Sequence, residues 1–182
     1  MLLFQIVAPT YGFVTEVTTT KITVYIPRKA NHNVFAPAGG WITSIEAFQG
    51  DWLRPIFQSW VKKTGRVIIG MATPITPPFS SSDADADEIP PTTTQISELN
   101  DPWMFTEFWL EVGKPKYVTD RVRLDIDTDD RVEAGDKIGE ILLGSLSEIH
   151  FSDQFVIEPA VQPGDWVVGG ETIVATVRMP LI

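Results

Sequence analysis

Two stretches of this chain carry the same pattern. Pro9-Thr10-Tyr11-Gly12-Phe13-Val14-Thr15-Glu16-Val17 has Pro, Gly at +3, an aromatic at +4, an aliphatic at +5, Thr at +6 and an aliphatic at +8. Pro37-Ala38-Gly39-Gly40-Trp41-Ile42-Thr43-Ser44-Ile45 matches it at each of those positions. Glycine lets the backbone reverse, and the alternation after it suits entry into a sheet. The pattern therefore predicts a turn that feeds a strand, used twice as a structural repeat.

The rest of the chain agrees with a β protein. Phe4–Val7, Phe13–Val17 and Lys21–Ile26 read as strands, the last closed by Pro27, and Val34–Pro37 returns to extended chain. Arg66–Ala72 reads as a buried strand, Val122, Leu124 and Ile126 alternate, and Phe151–Val156 and Glu171–Val177 are expected to close the sheet. Ile56–Val61 fits a short helix or a loop. The aromatic run 103–112 is expected to be core or interface and to pair with the segment that follows it. Gly-Asp turns recur at Gly50-Asp51, Gly135-Asp136 and Gly164-Asp165. The last two sit in a shared Val-x-x-Gly-Asp-x-(Val/Ile) pattern, which predicts equivalent turn modules.

One compositional break interrupts this. Residues 74–101 are Pro-, Ser- and Thr-rich and acidic, and read as a loop insertion in a single domain spanning 1–182. Asp83, Asp85 and Asp87 alternate, but the glycine and glutamate that complete a calcium loop are missing. The whole is expected to be all-β, a compact multi-turn β-sandwich or barrel-sandwich-like fold with a long acidic loop.

Charge and composition narrow the function. The net charge of −10 repels nucleic-acid phosphates, so no nucleic-acid partner is expected. With no cysteine there is no disulfide, thiolate nucleophile or Cys-based zinc site, and two histidines leave little for a metal. The apolar start of the chain is shorter than the roughly 18 residues that span a bilayer and has no basic leader, so neither a transmembrane segment nor a signal peptide is expected. An intracellular or particle-associated protein is the expectation.

Chemistry concentrates in Gly135–Phe151, GDKIGEILLGSLSEIHF. An apolar run breaks at Leu143-Gly144-Ser145 and then resumes. A Gly-Ser step is a poor strand interior, and marks a bulge or a close backbone approach. Read alone, Ser145 is a bulge residue bonded to backbone.

The Gly-Asp turns resemble those of lipoyl- and biotinyl-type barrel-sandwich domains. No lysine stands in a carrier motif at a hairpin tip, so a swinging arm is not expected. Three segments taken in order resemble the phosphatidylserine decarboxylase family. Val7–Val14 is similar to that family's Pro-Val-Asp-Gly segment, and Lys21–Trp52 to its His-containing element and following Gly turns. Gly139–Phe151 is similar to its Gly-x-Phe-x-Leu-Gly-Ser-Thr motif. The resemblance implies that fold. It also implies self-cleavage between Gly144 and Ser145, with Ser145 becoming a pyruvoyl group that acts as an electron sink for decarboxylation. Cleavage in the family uses an Asp-His-Ser triad. Carried over, the Asp position falls on Tyr11 and the triad histidine on Phe35, while the element's first histidine remains as His32.

The nucleophile is present and its base and orienter are replaced. The expected function is therefore a non-catalytic relative, a pseudoenzyme serving a structural or assembly role in a large particle such as a virion. It would have no cofactor and no metal. Protein partners or further copies would dock through segment 103–112 and loop 74–101. The alternative is a soluble pyruvoyl-dependent lyase for an amino-acid-like substrate, self-cleaving at Gly144-Ser145 with His32 recruited as base. A third reading is a module that binds a small ligand near Ser145 and His32 without turnover.

Overall fold

The structure is a computed structural model and describes residues 2–48, 65–74, 103–111, 121–142 and 144–178. Every regular element among them is a strand. The short helix considered at Ile56–Val61, the turn at Gly50-Asp51 and nearly all of the insertion at 74–101 lie outside the described residues.

The strands are β1 (Leu2–Val7), β2 (Gly12–Val17), β3 (Lys21–Tyr25), β4 (Asn33–Phe35), β5 (Gly40–Phe48), β6 (Arg66–Pro74) and β7 (Trp103–Glu111). They continue with β8 (Val122–Leu124), β9 (Arg131–Val132), β10 (Lys137–Ile141), β11 (Leu146–Phe151), β12 (Val156–Pro159), β13 (Trp166–Val167) and β14 (Ile173–Arg178). An eight-stranded sheet runs β13-β2-β3-β11-β7-β6-β5-β9, and two three-stranded sheets run β1-β14-β12 and β4-β10-β8. This is an all-β fold of barrel-like sheets, as the sequence predicts.

The order is symmetric about the β11–β7 pair. Each half has a Gly-led strand, its hairpin partner and a two-residue edge strand, and each half is covered by one small sheet. The repeated stretches are the start of each half. Gly12 pairs with Val167 and Gly40 with Val132, and both hairpins carry a register shift after the aliphatic, at Val14/Glu16 and Ile42/Ser44. The halves cross where Val7 N donates to Pro37 O at 2.9 Å and Phe35 N donates to Pro9 O at 2.8 Å.

Gly12 and Gly40 have φ of 155° and 153°, where an L side chain is strained. A Cβ on either would also run into the carbonyl of the paired strand, Tyr25 O for Gly12 and Ala72 O for Gly40. Glycine here is what allows the chain to enter the sheet at that angle.

Alternation places the core. One cluster joins Val14, Ile22, Val24, Ile149 and Phe151 of the large sheet to Ile6, Ile157, Val174 and Val177 of the β1-β14-β12 sheet. The second joins Ile42, Val67, Ile69, Phe108 and Leu110 to Val34, Val122, Ile138 and Ile141 of the β4-β10-β8 sheet. At roughly 1.5–3 kcal/mol per fully buried large aliphatic, these two clusters are the main source of stability.

Two expectations are corrected. Segment 103–112 does not pair with the residues that follow it. β7 lies between β6 and β11, and β8 joins β10 instead. Val122 is thereby buried against the second core cluster. Phe151–Val156 is not a strand, because the chain turns at 152–155 between β11 and β12. The Gly135-Asp136 and Gly164-Asp165 turns are equivalent, as expected: the aspartate Oδ2 accepts from Glu133 N in one and from Gln162 N in the other, each at 2.9 Å. Asp129-Asp130 forms a further turn of this kind, with Asp127 N donating to Asp130 Oδ2 at 2.7 Å, and it precedes β9 as Gly164-Asp165 precedes β13. Val14 N donates to Asp165 O and Ile42 N to Asp130 O; Gly164 N donates to Val14 O and Asp129 N to Ile42 O. Asp129 takes the turn with φ 73°, standing where the other half has Gly164 at 100°.

Candidate functional site

The break at Leu143-Gly144-Ser145 is a change of sheet. β10 ends at Ile141 in the β4-β10-β8 sheet, and β11 begins at Leu146 in the large sheet. Gly144 and Ser145 are half-buried, and Ser145 O accepts a hydrogen bond from Ile26 N at 2.7 Å. Ser145 is thus anchored at the point where the chain joins the end of β3.

Two residues on, Ser147 Oγ lies 2.6 Å from Thr10 Oγ1, and both residues are fully buried. Buried hydroxyls need such a partner to avoid an unpaired polar group. The bond fixes the Pro9–Tyr11 turn against the strand that begins beside Ser145. Tyr11, the next residue, packs against Phe35 with ring centroids 5.9 Å apart and planes tilted by 60°. Phe35 is placed by its backbone bond to Pro9, and its ring fits over Gly169 and Gly170. A Cβ at Gly169 would come within 2.9 Å of that ring. The structure therefore brings Tyr11 and Phe35 together, beside the start of the Ser145 strand.

His32 sits in the loop before β4. Its backbone O accepts from Ile141 N at 2.9 Å, and its ring Nδ1 is 2.7 Å from Ala30 O. A carbonyl only accepts, so Nδ1 carries a proton, and Nε2 is the nitrogen that holds the lone pair whenever the ring is neutral.

A second polar group lies on the other face of β11. Glu148, a carboxyl side chain, is only 3% exposed. His150 Nε2 donates to its Oε2 at 2.8 Å, Thr23 Oγ1 donates to Oε1 at 3.3 Å, and Lys21 Nζ lies 3.9 Å away. Lys21 also pairs with Glu16 at 2.8 Å. Strand alternation sends Glu148 and His150 to the face opposite Ser147 and Ile149. Sequence reading did not single out Thr10, Ser147 or Glu148. The signal was a Ser, a Glu and a His interrupting an apolar strand.

A family model described as Phosphatidylserine decarboxylase matches residues 108–175. The match begins in β7, contains the Gly144-Ser145 junction and ends in β14. This part of the chain is similar to the phosphatidylserine decarboxylase family. The match spans less than half of the chain, and Tyr11, His32 and Phe35 lie outside it. No curated protein matches the chain. Tyr11 and Phe35, the positions that the resemblance read from the sequence assigns to the orienter and the base, form the aromatic pair described above. Among the described residues no helix is long and apolar enough to cross a membrane.

Proposed function

We propose that this chain is a non-catalytic member of the phosphatidylserine decarboxylase family with a structural, assembly role, and that its Gly144-Ser145 bond stays intact. The observation that carries this reading is the Tyr11–Phe35 ring contact. Phenylalanine has no atom to take the Ser145 proton, and a phenol donates where an orienting carboxylate would accept. A serine without a base is a weak nucleophile, and loss of a triad member costs several orders of magnitude in rate. The side chains at positions 11 and 35 therefore do not fit the task of generating a pyruvoyl group.

Amine trapping tests this. The purified chain is incubated with small amino acids and cyanoborohydride, beside a Ser145→Ala control. No amine adduct and no CO₂ above the control are expected. An adduct on a fragment beginning at residue 145, with CO₂ release lost in Ser145→Ala, favours the pyruvoyl-dependent lyase with His32 Nε2 as base.

A further inference from the structure

Among the described residues, the buried polar side-chain atoms without a hydrogen-bond partner are Thr73 Oγ1, Thr106 Oγ1, Arg66 Nε and Arg121 Nη1. The two hydroxyls are neutral, and one water satisfies each. The Arg66 guanidinium lies over the Phe48 ring, 4.7 Å from its centroid. Arg121 differs from all of these. Its Nη1 holds two N–H groups and a share of a full positive charge. A buried guanidinium nitrogen that has lost water and gained no acceptor is costly, and the cost is recovered only by a counter-charge that reaches it.

The strand around Arg121 does not supply that counter-charge. Arg123, two residues on in β8, has Glu140 at 3.2 Å and Asp125 at 3.7 Å. The carboxylates beside β8 are thus engaged by the exposed arginine and not by the buried one. Nor does the framework call for a cation here. In the other half of the fold Val156 holds the matching place: it precedes Ile157, which pairs with Val177 of β14 as Val122 pairs with Ile141 of β10. Val156 is an exposed aliphatic residue. The place of Arg121 in the fold is also particular. Its backbone O accepts from Leu142 N at 2.6 Å, immediately after β10 ends and where the chain leaves for the large sheet.

We propose that Arg121 anchors a binding site for a small oxyanion, a phosphate or a carboxylate group, at the end of the β4-β10-β8 sheet. A guanidinium presents its N–H groups in a planar fork that matches the oxygens of either group. The net charge of −10 opposes loose binding of anions over the surface, so an anion that binds must find a local cation. The inference goes beyond the proposed function and holds whether or not the Gly144-Ser145 bond is cut.

Thermal melts of the full chain test it, with inorganic phosphate or acetate replacing chloride at constant ionic strength. One of the two is expected to raise the midpoint progressively, by about 5–10 °C once it exceeds its dissociation constant about a hundredfold. A larger response to phosphate assigns a phosphoryl ligand, and a larger response to acetate assigns a carboxylate. Arg121→Met, which keeps most of the length without the charge, is expected to lose the response. In chloride it should melt no lower than the wild type, because it removes an unpaired buried charge. Arg123→Met, at an exposed ion pair, should keep the response. A wild type indifferent to both anions overturns the proposal, as does a response that Arg121→Met retains. Should Arg121→Met fail to fold, ¹⁵N spectra of the wild-type arginine side chains decide. A guanidinium resonance that shifts saturably with the anion supports the site, and none that shifts overturns it.

Discussion

Gly40→Ala is expected to destabilise the protein by at least about 3 kcal/mol, combining a forbidden backbone conformation with a backbone clash. For a chain of this size that lowers the melting temperature by about 6–12 °C. The cause is local. At φ 153° the new Cβ meets the Ala72 carbonyl of β6, and no flexible side chain can give way. β5 and β6 must separate there, and the Gly40–Val132 pairing with β9 is strained with them. Gly12→Ala should behave alike against Tyr25 of β3. Gly39→Ala is the control: its Cβ would find its nearest neighbour at 3.5 Å, an ordinary contact, so its midpoint should move by no more than about 2 °C. Thermal melts of the three variants check this. A Gly40→Ala protein as stable as Gly39→Ala would show that the close approach of β5 and β6 is misplaced.

The second large effect is expected at Glu148. Its carboxylate is almost wholly buried and takes hydrogen bonds from His150 and Thr23, with Lys21 at the edge of reach. Glu148→Ala leaves two partners facing a void and removes the acceptor for both hydrogen bonds. We expect a loss of about 2–3 kcal/mol, below the figure for a fully buried pair because Lys21 retains Glu16 and His150 reaches solvent. Glu148→Gln keeps the shape and one acceptor and should lose less. Urea titration of the single variants and of Glu148→Ala combined with His150→Ala gives the coupling, expected at about 1–2 kcal/mol. Coupling indistinguishable from zero would show that the two side chains do not share a bond.

These two sites also show what the sequence revealed. The Pro-to-aliphatic repeat was legible because both halves use glycine for the same backbone geometry, and a glycine leaves a visible mark. The second correspondence was hidden because one half uses Asp129 in the left-handed conformation where the other uses Gly164. Gly-Asp therefore marks the equivalent turns at Gly135 and Gly164 and misses the one at Asp129-Asp130. Strand alternation located both halves of the core, but the 152–155 turn carries no Gly or Pro to announce it. Glu148 and Ser147 could not be interpreted from sequence because their partners, Thr23 and Thr10, are 125 and 137 residues away. At the candidate site, Tyr11 and Phe35 were identified by position in a motif. That their rings meet is a fact of the fold.

The central claim is that the family's cleavage site remains a peptide bond in this chain. The most direct measurement is the intact mass of the purified full-length protein. The account predicts one species at 20.3 kDa with Ser145 unmodified. Two fragments parted before Ser145, with a borohydride-reducible carbonyl at the start of the second, would contradict it.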